Sequence, residues 1–107
     1  MDYIEIDKDL IPYRFEMDLP DEYEFEIGYN ARFDFFTVDL YKDGNALVVG
    51  EKLMLDRPLF ENLASVDLPK VKIIPMDRAG EEVRITYENL ERTVFLYVAD
   101  GDADGSI

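Results

Sequence analysis

Phe33-Asp34-Phe35-Phe36-Thr37-Val38-Asp39-Leu40-Tyr41-Lys42-Asp43-Gly44-Asn45-Ala46-Leu47-Val48-Val49-Gly50 is patterned as a β-hairpin. Phe, Val, Thr and Tyr fill the first arm, Asp43-Gly44 supplies the positive φ that a tight, strand-matching turn needs, and an apolar arm follows at once. Neither face of the first arm is plainly polar. Period-two alternation sends Phe36, Val38 and Leu40 one way and Phe33, Phe35, Thr37 and Tyr41 the other, so a strand covered on one side only would leave large aromatics in water. The second face is therefore either buried by the same chain or is a contact surface, since aromatics are favoured at interface cores.

Strands precede and follow the hairpin. Tyr3–Asp7 alternates, as does Arg14–Leu19 with Phe15, Met17 and Leu19 on one face. Glu22–Ile27 alternates most cleanly, with Tyr23, Phe25 and Ile27 inward, three glutamates outward, and Gly28 placed for a bulge. These three predict an antiparallel meander. Beyond the hairpin, Gly50–Leu55 continues its second arm, and the spacing of Leu59, Phe60 and Leu63 behind Asp56 and Pro58 predicts one short helix near 57–63. Val71–Ile74, Val83–Tyr87 and the nearly continuous apolar Thr93–Val98 predict further strands. The expectation is an all-β, mainly antiparallel domain over 1–99, a small sandwich or barrel of about seven strands, with a flexible acidic tail over 100–107.

The chain of 107 residues is one domain in size, and its 48% hydrophobic content is ample for a core. It has no cysteine and no histidine, which excludes disulfides, thiolate nucleophiles, an imidazole base and nearly every structural zinc site. Eleven basic against 25 acidic residues give a net charge of −14, so nucleic acid is a poor partner and basic proteins or cations are the expected ones. The first thirty residues alone carry ten carboxylates against Lys8 and Arg14. No run is long enough to span a bilayer as a helix, and the N-terminus lacks the pattern of a signal peptide, so neither membrane nor export is expected.

Chemistry-bearing constellations are sparse. Asp100, Asp102 and Asp104 before Gly105 resemble the opening of a calcium loop, but its distal acid is lacking, so no metal is favoured there. Glu24 with Glu26, or Asp7 with Asp9, has the spacing of a carboxylate pair, and any polar outer face gives the same spacing. Ser65 and Ser106 have no base to activate them, and Gly50-Glu51-Lys52 lacks the rest of a phosphate-binding loop. Neither an active site nor a cofactor is expected.

Tyr29–Tyr41, with Asp43-Gly44 and Leu47–Gly50 behind it, resembles the central signature of the phage baseplate plug family. Those are small proteins encoded among the tail genes of contractile-tailed phages and related particles. Ile4-Glu5-Ile6, Ile11–Phe15, Ile74–Asp77 and Leu90–Tyr97 extend the resemblance over nearly the whole chain, although Phe35-Phe36 stands where the family often has tryptophan. The resemblance implies a non-enzymatic component of the virion tail baseplate, made in the host cytoplasm and assembled with tube, hub or spike proteins. Phe33, Phe35 and Tyr41, with Leu59 and Phe60 beside them, are the expected contact residues. The alternative is an acidic inhibitor that mimics nucleic acid toward a basic partner.

Overall fold

A computed structural model describes residues 2–19, 21–61, 63 and 67–99. Among the described residues seven strands run in chain order: β1 (Tyr3–Ile4), β2 (Tyr13–Asp18), β3 (Glu22–Asn30), β4 (Phe35–Lys42), β5 (Asn45–Lys52), β6 (Lys72–Asp77) and β7 (Val94–Ala99). They make two antiparallel sheets, β2-β3-β4-β5 and β1-β7-β6, stacked as a sandwich and not closed as a barrel. The meander is built from β2 to β5. The predicted first strand shrinks to two residues and joins the other sheet, pairing Tyr3 with Tyr97 and Ile4 with Leu96.

The inner layer follows the period-two pattern. Phe25 faces Leu40, Ile27 faces Val38 and Tyr29 faces Phe36 across β3 and β4. Phe25, Ile27, Phe36, Val38 and Leu40 are each at most 1% exposed, and they meet Ile4, Ile73, Val94 and Leu96 of the second sheet in one core. Burying each such side chain contributes roughly 1.5–3 kcal/mol, which is what holds the two layers together. The hairpin turns as its sequence predicts, with Asp43 at φ 52° and Gly44 at φ 79° between the paired Lys42 and Asn45.

Gly28 makes no bulge, because it pairs with Thr37 in regular register. The irregularity lies in β5, where the pairing jumps from Val38↔Glu51 to Leu40↔Val48. Asp39 then faces two residues, and its carboxylate accepts the Gly50 amide at 2.7 Å while Gly50 adopts φ 76°.

Two predicted elements do not form. Segment 55–61 is a series of turns, with Asp56 and Phe60 both at φ 64°, a left-handed value that no α-helix accommodates. Its amides are drawn to β6 instead, Asp56 N donating to Pro75 O at 2.7 Å and Leu59 N to Ile73 O at 2.8 Å. The second miss is Val83–Tyr87, which alternates in sequence yet forms bends and turns. Asn89, buried at 6% exposure, holds this segment in a loop: its side chain bonds Arg84 O and Thr86 N, at 2.8 Å each. Strand β6 runs through Pro75, tolerated because that edge carries the 55–61 segment in place of another strand. The one helical element among the described residues is a 3₁₀ turn, Lys8–Leu10, capped by Asp7 through the Asp9 amide at 3.0 Å. No helix among the described residues is long and apolar enough to cross a membrane.

Candidate protein interface

The outer face of the four-stranded sheet carries two unlike ends. At one end lies Phe35, half-buried on β4, opposite Asn30 of β3. It is the shared wall of two depressions. One is a groove of 540 Å³ whose floor includes Gly28, Thr37 and Tyr29 and whose far side includes Pro12 and Tyr87. The other is a cleft of 180 Å³ between the start of β4, the segment after β5 and the 83–85 loop. A Cβ at position 28 would stand 2.9 Å from Thr37 Oγ1, so any other residue there would force the threonine side chain to shift.

Around the cleft, side chains that ordinarily seek cover are in solvent: Phe33 is 63% exposed, Met54 42% and Val83 91%. Phe33 belongs to the turn before β4. Asn30 Oδ1 holds its amide at 3.0 Å, and Asp34 at φ 56° then turns the chain into the strand, so Phe33 and Phe35 line the same cleft. Asp34 also fixes the opposite wall. Its carboxylate accepts Tyr29 Oη at 2.7 Å, the Tyr87 amide at 2.9 Å and Arg84 Nη2 at 3.0 Å, and these bonds hold it below the usual carboxylate range. The same Tyr29 bond raises the tyrosine hydroxyl above its ordinary value.

Basic side chains gather here. Lys52 lies 4.8 Å from the Phe35 ring centre, Arg32 lies 5.2 Å from that of Phe33, and Lys8 and Arg84 complete the rim. Four of the chain's eleven basic residues thus lie about Phe33 and Phe35 on a protein of net charge −14, Arg84 being paired with the Asp34 carboxylate.

Of the sequence-predicted contact residues, Phe33 and Phe35 are brought together and Tyr41, Leu59 and Phe60 are not. Tyr41 shares the outer face with Phe35, but six residues along β4, about 20 Å away, it is covered by the Arg14 guanidinium at 3.9 Å. Leu59 and Phe60 are each 7% exposed and belong to the core, so the expectation that they flank the hairpin surface is corrected: the left-handed turn at Phe60 directs them inward. Val83 and Met54 were missed, because period-two alternation marks Val83 as a strand residue and carries no sign that a loop would expose it.

Carboxylates with pair spacing have structural duties. Glu26 is bound to Arg14 at 2.7 Å and Asp7 caps the 3₁₀ turn. Among the described residues no group of three or more Asp and Glu is placed to hold a metal ion, and Asp100, Asp102 and Asp104 lie outside them.

The outer sheet face thus presents an aromatic ridge at Phe35 between two depressions. Residues 1–102 match the family model described as cyanophage baseplate Pam3 plug gp18. The chain belongs to the phage baseplate plug family. No curated protein matches it. As a baseplate plug protein it is a structural component of the virion tail baseplate and part of a larger assembly with other tail proteins.

Proposed function

We propose that this plug protein is a non-enzymatic component of a contractile-tail baseplate, held against tube, hub or spike proteins by the outer sheet face around Phe35. The observation that carries the proposal is the exposure of Phe33, Met54 and Val83 around a cleft that Phe35 walls, on one side of a ridge with a second hollow behind it. Such a surface offers an anchor between two pockets, with neutral or acidic partner surface suited to the rim of Lys8, Arg32, Lys52 and Arg84. Tyr41, beneath Arg14 on the same face, is the proposed outlying contact.

The test is particle assembly with Phe35→Ala and, separately, Val83→Asp. Both variants are expected to keep the wild-type circular dichroism spectrum and to be lost from purified particles. Normal incorporation, or an unfolded Phe35→Ala protein, overturns the role of this face.

A further inference from the structure

The opposite end of the same face carries charges that oppose one another. β2 pairs with β3 so that Glu16 lies directly across from Glu24 and Asp18 from Glu22. Like charges in directly opposed positions destabilise a sheet, and none of these four forms an ion pair among the described residues. Arg14, the one cation of β2, is already bound to Glu26 and stacked on Tyr41.

β2 is also a sheet edge, and it differs from the other three. β5 is interrupted by its bulges and by Gly50 at φ 76°. β6 contains Pro75 and is covered by the amides of Asp56 and Leu59. β1 has only two residues. β2 keeps unbroken register with β3 over all six residues, and among the described residues no backbone hydrogen bond reaches its outer edge. Its inward side chains Tyr13, Phe15 and Met17 are only half-buried against the core, leaving apolar surface for another strand to cover.

We infer that the β2 edge receives an extended, basic segment of a partner protein as a fifth strand of the sheet. Backbone bonds along Tyr13–Asp18 would supply affinity, alternate apolar side chains would cover Phe15 and Met17, and Lys or Arg on the outward side would relieve the Glu16–Glu24 and Asp18–Glu22 repulsion. A second copy of this chain is a poor occupant, because it would bring its own Glu16 and Asp18 to the same rim. This edge is separate from the Phe35 end of the sheet and stands or falls independently of it.

The experiment is amide hydrogen exchange on the whole chain with short synthetic peptides as probes. A peptide of alternating lysine and valine should slow exchange at alternate amides of residues 13–18 and leave residues 45–52 unchanged, and raising salt about tenfold should weaken the effect. A glutamate–valine peptide should do neither. The same lysine–valine peptide, N-methylated at alternate amides in either frame, keeps its charge but loses one set of backbone donors, and one of the two frames should no longer bind. Glu16→Lys with Asp18→Lys should weaken binding roughly tenfold or more and admit the acidic peptide instead. Absence of protection in β2, protection confined to β5, or equal binding by both methylated peptides overturns the inference, the last because charge alone would then account for binding.

Discussion

Asp34 Oδ2 accepts a hydrogen bond from Arg84 Nη2 at 3.0 Å, between residues 50 positions apart, while Arg84 Nη1 reaches the Asp34 carbonyl at 3.1 Å. This double clasp joins the turn that opens β4 to the 83–87 loop, beside the Tyr87 amide bond to the same carboxylate. Arg84 is also part of the lining of the cleft beside Phe35.

Replacing Asp34 with Asn keeps a residue suited to left-handed backbone and removes the charge. The expected loss is about 1–2 kcal/mol, discounted for an ion pair whose partners are 56% and 33% exposed. Arg84→Gln should cost a similar amount and the double variant less than the sum, as read from urea unfolding midpoints. Additive losses would mean that the two residues act separately.

Acid should loosen the same region. Asp34 is held low by its bonds from Tyr29, Tyr87 and Arg84, and Asp77 by the amides of Glu82, Glu81 and Ala79. Folded values below the unfolded value of about 3.9 mean that both contribute stability above that pH and lose it as pH falls through the depressed folded values. Thermal unfolding followed downward from pH 5 should show a falling midpoint, with a smaller fall in Asp34→Asn and in Asp77→Asn.

Glu91 works in the other direction. Burial raises its pKa against the opposing pull of the Ile6 amide, and its Oε2 is buried without a hydrogen-bond partner. A folded value above the unfolded one means that the stability tied to this group is present at low pH and is lost as pH rises through the folded value. Glu91→Gln should therefore raise the unfolding midpoint at neutral pH, with the gain vanishing below about pH 4. A destabilised Gln variant at neutral pH would contradict this.

Phe60 and Phe33 give opposite outcomes despite similar chemistry. Phe60→Ala opens a cavity in the core and should cost about 3–5 kcal/mol, whereas Phe33→Ala, in solvent, should change stability by less than about 0.5 kcal/mol. Denaturant titration of the isolated variants separates them. A stable Phe60→Ala would return that residue to the surface.

The inner layer was legible in the chain because a strand repeats every two residues and one buried face enforces that repeat. Tyr23-Phe25-Ile27 and Phe36-Val38-Leu40 needed no tertiary information, and Asp43-Gly44 specified its turn through local backbone sterics. Where contacts between distant segments outweighed local preference, pattern failed. Segment 55–61 gave its amides to β6 and so formed no helix, Val83–Tyr87 was captured by Asp34 and Asn89, and Leu59 and Phe60 turned inward on a left-handed residue. Phe35 was visible as an aromatic on the second face, but its cleft partners Val83 and Met54 were not, since exposure depends on which loop comes to lie beside which strand end. Composition along the chain records neither that neighbourhood nor the unpaired edge of β2. Both arise only when two sheets stack and some of their backbone groups are left without a strand to meet.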